Sequence, residues 1–429
     1  MRRAVFAGFA VLFSSSVALA NGRFPATNAV VVQPGNPQTM ALRATYGVLI
    51  SKDAGTNWDW ICEPAIGMGG VEDPSVVLTA SGAIVIGTFN GLSRSSDGGC
   101  HWSHDVAWPA SVVDLTTRPT SPNRIYAVTN TFSKMTDAAE LLYASELFIS
   151  DDAGAHWSSR TKLDPTLMID SIEVAPNDSK RVYVSAVTET RGALLVSDDD
   201  GAHFKRREIK LIAQERGVYI AAVDPRNAAR VYVRTANADA SRLLVSDDAG
   251  ISFREISHGA SLKGFALADD GATIFAGDES GLLRASSEDD RFDRVSKIPI
   301  QCLTAVGKDL WACAPTGVGY VLGASSDRGA TFSSKLTLAG MRELRCVSPS
   351  SMDVCAEDWS ALESLVAPSP TMDASIAPTA REATATEKRS RFSCSTNRSS
   401  ASESARFKVF FGIAIAFLLA RRSRKRNAP

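Results

Sequence analysis

Apolar residues along most of this chain fall in short runs separated by turn-forming residues. Leu147-Phe148-Ile149, Leu194-Leu195-Val196 and Leu243-Leu244-Val245 are too short for helices and run into Ser, Asp and Gly, so they predict buried strands. A second pattern lies upstream of each. Arg124-Ile125-Tyr126-Ala127-Val128, Arg181-Val182-Tyr183-Val184 and Arg230-Val231-Tyr232-Val233 follow the turns Ser121-Pro122-Asn123, Ala175-Pro176-Asn177 and Asp224-Pro225-Arg226-Asn227. Each unit therefore reads strand, turn, strand, strand, polar turn, strand.

The polar turn repeats with the template S-x-D-x-G-x-x-W/F. Three copies close on Trp: Ser51, Asp53, Gly55 and Trp58; Ser95, Asp97, Gly99 and Trp102; Ser150, Asp152, Gly154 and Trp157. Three close on Phe: Ser197, Asp199, Gly201 and Phe204; Ser246, Asp248, Gly250 and Phe253; Ser325, Asp327, Gly329 and Phe332. A degenerate copy lies between Ala285 and Phe292. Asp and Ser can bond nearby backbone groups, Gly supplies a φ that other residues resist, and the aromatic is expected to start the next strand and pack under the turn. The repeat length of about 40 to 55 residues matches one propeller blade. The expected fold is all-β, a single propeller of about seven four-stranded blades.

Over roughly residues 28 to 337 the pattern resembles the BNR/Asp-box superfamily, which includes sialidases, sortilin-type receptors, xyloglucan-cleaving glycosidases and photosystem assembly factors. Beyond it, Leu344 to Val347 and Met352 to Cys355 mimic the first hairpin of the preceding unit, and either close the ring or begin an extra blade.

The ends differ from the middle. Arg2 and Arg3, an apolar stretch from Ala4 to Phe13 and the pattern Ala18-Leu19-Ala20 read as a cleaved signal peptide. Val409 to Ala420 is apolar and runs into Arg421, Arg422, Arg424, Lys425 and Arg426, an orientation signal that leaves the preceding domain outside the cytoplasm. With Cys394 upstream, this tail resembles the sorting tails of myxobacterial surface proteins, either a short anchor or a removable signal. The expected order is signal peptide 1–20, propeller 21–357, a disordered Pro/Ala/Ser/Thr-rich stalk 358–406, and a hydrophobic and basic tail 407–429. That order predicts an exported protein, at the cell surface or in the periplasm, held to the membrane by its C-terminal segment.

Cysteine usage fits export. Cys62, Cys100, Cys302, Cys313, Cys346, Cys355 and Cys394 show no C-x-x-C spacing, and the close pairs Cys302/Cys313 and Cys346/Cys355 are candidate disulfides. With 46 basic and 47 acidic side chains, the net charge of -1 offers no overall field for a polyanion, so nucleic acid is not an expected partner.

Repetition argues against chemistry at the polar turns. A catalytic group is needed once per site, whereas a stabilising turn is needed once per blade, so the repeated Ser, Asp and Gly are expected to be structural. His101, His156 and His203 share one turn position and so sit on different blades, which excludes a common metal. The acidic run Asp198-Asp199-Asp200 lacks the EF-hand spacing, and no metal or cofactor is expected. For a sialidase-like enzyme the resemblance implies an arginine triad, a Tyr nucleophile with a Glu, and an Asp acid/base. Arg23-Phe24-Pro25 is the nearest match to the first arginine motif but precedes the first blade; Tyr126, Tyr183 and Tyr232 fill a repeated strand slot, leaving Tyr46, Tyr143, Tyr219 and Tyr320. No catalytic residue is assigned. The expected function is a monomeric binding or scaffold module for an unknown protein or glycan, with an exo-sialidase-like glycoside hydrolase as the alternative.

Overall fold

A computed structural model describes residues 26–69, 72–105, 108, 110–236 and 240–366. The signal peptide, Arg23-Phe24-Pro25, Cys394 and the C-terminal tail lie outside these residues. Among them the chain forms seven antiparallel sheets, each of four consecutive strands. Blade 1 runs from the strand Thr27–Val32 to Trp58–Ile61, and blade 2 from Ser75–Leu78 to Ser103–Asp105. Blade 3 spans Val112–Arg118 to Ser158–Lys162, and blade 4 Met168–Val174 to Lys205–Ile209. Blades 5, 6 and 7 run from Gly217–Val223 to Arg254–Ala260, from Gly264–Leu267 to Asp293–Ser296, and from Cys302–Val306 to Ser333–Leu336. The first strand of each blade contacts first strands of both neighbouring blades, including blade 7 with blade 1, so the sheets form a seven-bladed propeller with the first strands around its axis.

The middle strands hold the core because they are covered on both faces by adjacent blades. Val182–Val187 and Gly192–Ser197 in blade 4 are buried at every position. Outside blade 1, fourth strands are the outermost of their sheets and are largely exposed, as Ser158–Lys162 is. This gradient explains why the apolar runs preceding the polar turns were so legible: they are the third strands.

Each polar turn is the link between third and fourth strand. In all six full copies the Ser Oγ accepts the Gly N–H at 2.7–2.9 Å. The Asp Oδ1 accepts the backbone N–H four residues on at 2.8–3.0 Å. The Gly is required twice over. At Gly55, Gly99, Gly154, Gly201, Gly250 and Gly329 φ is positive, between +77° and +95°. A Cβ at each would also meet the preceding blade, on Trp311, Ile61, Val85, Leu147, Leu194 and Leu282 respectively, at 2.2–2.9 Å.

The closing aromatics correct one detail. Only Trp58 starts the fourth strand; Trp102, Trp157, Phe204, Phe253 and Phe332 each stand one residue before it, so those strands begin at Ser103, Ser158, Lys205, Arg254 and Ser333. The difference has a physical cause. Trp58 is held from its outer side by Met341, with which it pairs in parallel, whereas the other fourth strands are the last in their sheets. Trp58 is accordingly fully buried, while Trp102, Trp157, Phe204, Phe253 and Phe332 are half-buried.

The degenerate copy in blade 6 is a different turn. Arginines from blade 5 tie it down: Arg226 donates to Ser287 Oγ at 2.9 Å, Arg230 to Ser287 O at 2.5 Å, and Arg254 pairs with Asp290.

The C-terminal segment corrects two further expectations. Residues 341–366 begin no further blade. Met341–Glu343 adds in parallel to the outer strand of blade 1, and Ser351–Val366 is a helix, so ordered structure runs past 358, where the stalk was expected to begin. Cys346 and Cys355 do not pair with each other. Cys355 is bonded to Cys62 and Cys346 to Cys100, while Cys302 is bonded to Cys313 within one hairpin. Sequence proximity misled because the segment is a strap laid across blades 1 and 2, and its cysteines meet residues nearly the whole propeller away in sequence. Ser351 N–H bonds Cys100 O at 2.8 Å, His101 Nε2 lies 2.8 Å from Pro349 O, and Trp359 packs against Trp60 with ring centroids 5.7 Å apart. Three disulfides point to an extracellular or periplasmic protein. No helix among the described residues is long and apolar enough to cross a membrane.

Candidate functional site

The residues that first attract attention are occupied by the fold. The second Asp oxygen of each full turn accepts a side-chain donor at 2.6–2.7 Å: Asn57, His101, His156, His203, Ser252 or Thr331. The three histidines are thus interchangeable with Asn, Ser and Thr. Since a carboxylate only accepts, their Nδ1 carries the proton. The indole N–H groups of Trp58, Trp102 and Trp157 donate to the carbonyls of Gly55, Gly99 and Gly154 at 3.0–3.1 Å. Phe204, Phe253 and Phe332 have no donor to offer and act by packing alone, each against the apolar core beside its blade. In the acidic run, Asp198 pairs with Arg181 and Lys205, Asp199 with His203, and Asp200 with Arg118 and Arg124.

The Arg-x-Tyr motif joins blades. Tyr126, Tyr183 and Tyr232 are fully buried, each under the guanidinium two residues before it at 5.5–5.9 Å. Tyr126 Oη donates to Asp200 of blade 4 at 2.5 Å, and Tyr183 Oη to Ala228 O of blade 5 at 2.6 Å. Of the other tyrosines, Tyr46 and Tyr320 are buried, and Tyr143 lies in the hairpin of blade 3. Tyr219 lies beneath Arg234, 5.0 Å from its guanidinium carbon.

Around the axis the structure brings together residues that the repeat did not single out. A first strand is paired along only one edge within its own sheet, so the other edge presents buried backbone groups that need partners. Side chains of the preceding blade supply them. Asp114 Oδ2 accepts Ile172 N–H at 3.0 Å, Asp170 Oδ2 accepts Val218 N–H at 2.8 Å, and Ser171 Oγ accepts Ile220 N–H at 2.9 Å. Thr304 Oγ1 donates to Val30 O at 2.8 Å in the same manner across the closure.

The carboxyls of Asp114, Asp170 and Glu173 are half-buried on first strands, and burial disfavours their charged forms. Burial raises Asp170 to about 7 against the hydrogen bond from Val218. It raises Asp114 to about 6 despite amide hydrogen bonds from Ile172 and Leu115 and the nearby Arg43 charge. Glu173 is pushed to about 8, by burial first and then by the charge of Asp114.

Beside Glu173 a cavity of about 550 Å³ opens between the first strands of blades 4, 5, 6 and 7 and the turns that follow them in blades 4, 5 and 6. Ala221, Ala222, Ala266, Ala305 and Thr304 line it, with Pro176 and Pro225 at its edge. Its described lining contains no arginine and no tyrosine. The Arg, Tyr and Glu set implied for a sialidase is therefore not gathered there. Sequence reasoning missed Asp114, Asp170 and Glu173. The signal available was an acid within an otherwise apolar first strand, as in Met168-Ile169-Asp170-Ser171-Ile172-Glu173-Val174.

No known family model matches the sequence, and no curated protein matches it. Among solved structures, an ancestral GH74 enzyme is similar with a TM-score of 0.52 at 14% identity, over 73% of this chain and 46% of that enzyme. This chain thus spans less than half of that enzyme's length. Hydrazine synthase from Kuenenia stuttgartiensis is similar with a TM-score of 0.50 at 11% identity, over 72% of this chain and 97% of the other. At these identities the likeness is one of fold.

Proposed function

We propose that this chain is an exported binding module of the Asp-box propeller type, held at the envelope by its C-terminal segment, which receives a protein or glycan ligand in the cavity beside Glu173. The observation that carries the reading is the cavity of about 550 Å³ beside Glu173, a concave site formed by four blades. Its lining of small residues and turn backbone is suited to receiving an inserted loop or sugar. Glu173 of the lining and the neighbouring Asp114 do not form a free acid/base pair, because Asp114 uses both oxygens on the amides of Ile172 and Leu115. The N-terminal sequence and the three disulfides support export.

The test is site-specific crosslinking of the full chain in its own cell envelope, with a photoreactive residue at Ala222 or, as a remote control, at exposed Glu357. The expected result is one defined adduct from Ala222 and none from Glu357, with binding of the identified ligand lost in Ala222→Trp. No adduct at Ala222, together with turnover of a sialoside by the purified chain, overturns the reading in favour of a glycosidase.

A further inference from the structure

We propose that the cavity beside Glu173 takes an organic cation, a guanidinium or primary ammonium group presented on a lysine or arginine side chain, with Glu173 as its counter-ion. This names the ligand chemistry of the site proposed above and rests on that reading.

Two ionisable side chains line the cavity, Glu173 on the wall and Asp269 at the exposed rim, and both are acids. Asp269 is engaged by Gly307 N–H at 2.7 Å. Glu173 receives one side-chain hydrogen bond, from Thr116 Oγ1 at a long 3.3 Å, and a backbone hydrogen bond from Val174, so among the described residues no charged side chain donates to it. The neighbouring Asp114 is committed to two backbone amides and adds negative charge. The Arg43 charge acts on Asp114, and its guanidinium donates to Asn28 and to the carbonyls of Asp73 and Pro74. On the strand of Glu173 itself, Asp170 faces Val218 N–H and Tyr219, with Arg234 beyond.

A half-buried carboxyl beside a second acid, with a cavity in front of it and no base in that lining, is complementary to a cation. The cavity exceeds the volume of one side chain, leaving room for flanking backbone against Pro176 and Pro225. That favours a side chain on a peptide over a free amine.

Cation binding at Glu173 has a proton signature. The empty site holds its proton up to about pH 8, through burial and the Asp114 charge. A bound cation favours the ionised form, so binding near neutrality releases a proton and strengthens as pH rises.

The experiment is titration calorimetry on the full chain with three probes: acetyl-Gly-Arg-Gly-amide, its citrulline counterpart and methylguanidinium chloride. It is run at pH 6.5 and 8.5 in two buffers of different ionisation enthalpy. The expected result is that the arginine peptide binds at least about tenfold more tightly than the citrulline peptide and gains about tenfold in affinity between the two pH values, with proton release. Glu173→Gln, which keeps the acceptor for Thr116, abolishes both differences while melting no lower than wild type. Methylguanidinium binding as tightly as the peptide would reassign the site to free amines and overturn the peptide-borne form. Equal binding of the arginine and citrulline peptides, no binding of either, or unchanged binding by Glu173→Gln overturns the proposal. If the cation fails while Ala222 still crosslinks an envelope ligand, the cation inference falls and the binding module stands; if both fail, both fall.

Discussion

Cys62 and Cys355 lie 293 residues apart in the chain and are joined by a disulfide with their Cα atoms 5.5 Å apart. The bond fixes the C-terminal helix to the outer strand of the first blade, and its neighbour Cys100–Cys346 fixes the same strap to the second blade. All four antiparallel strands of blade 1 come from the N-terminal end of the chain, and the C-terminal segment adds only the three residues Met341–Glu343 to its outer edge. The strap backs that short pairing with a covalent connection.

Cys355→Ser is expected to destabilise the propeller by about 2–5 kcal/mol, because a cross-link over so long a loop restricts the unfolded chain. Thermal unfolding under non-reducing conditions reads this. A melting temperature equal to wild type would show that the strap contributes nothing to closure.

Gly201→Ala is expected to cost about 2–4 kcal/mol, combining left-handed backbone with overpacking. Its φ is +77° and the new methyl would lie 2.4 Å from Leu147 of blade 3. Gly35→Ala separates the two effects: φ there is +78° but nothing lies within 4 Å of the added Cβ. Urea unfolding of the pair should show the smaller loss, about 1–2 kcal/mol, for Gly35→Ala.

Glu215 and Arg242 form a buried two-point ion pair, Nε to Oε1 and Nη2 to Oε2, both at 2.7 Å. Thr235 Oγ1 and Ile212 N–H also donate to the carboxylate. Glu215→Ala strands the guanidinium and should cost about 3–5 kcal/mol. In Glu215→Leu/Arg242→Leu, with both charges removed, chemical unfolding should recover part of that loss.

Stability should fall as pH rises from about 4 to about 7, in part through Asp170. Its folded pKa is raised, so the unfolded chain ionises first and is favoured across that window. Asp170→Asn keeps an acceptor for Val218 and should be more stable than wild type by roughly 2–4 kcal/mol at pH 8 while matching it near pH 4. The turn carboxylates act with the opposite sign below that window. Desolvation opposes ionisation of Asp152, yet hydrogen bonds from His156 and Ser150 bring it to about 2, and Ser252 and Ser246 hold Asp248 at about 2. Their contribution is lost as pH falls from about 4 to about 2. Urea titrations of wild type and Asp170→Asn across pH 3 to 8.5 separate the two; parallel curves would remove Asp170 from the account.

The blades were legible because their determinants are local. Leu194-Leu195-Val196, the turn Ser197 to Phe204 and Arg181-Val182-Tyr183-Val184 each specify a strand or turn within a few residues, and the repetition does the rest. The start of the fourth strand was less legible: Trp58 and Trp157 occupy the same template position, yet only Trp58 has the strap beside it to extend the pairing. The blade 6 turn was legible only as a weak copy, since its stability comes from Arg226 and Arg230 of another blade. The axial acids were missed for a related reason. Asp114 and Asp170 look like polar interruptions of apolar strands until the next blade's first strand is placed beside them.

The sequence by itself determined the four-stranded unit and its turn chemistry, since hydrogen bonds between residues two to four apart need no distant partner; that residues 341–366 begin no eighth blade was decided by the tertiary structure. Only the tertiary structure decided which cysteines pair, where the ring is clasped, and that Glu173 borders a cavity. Those depend on ring closure, which brings together residues whose separation along the chain carries no information about their separation in space.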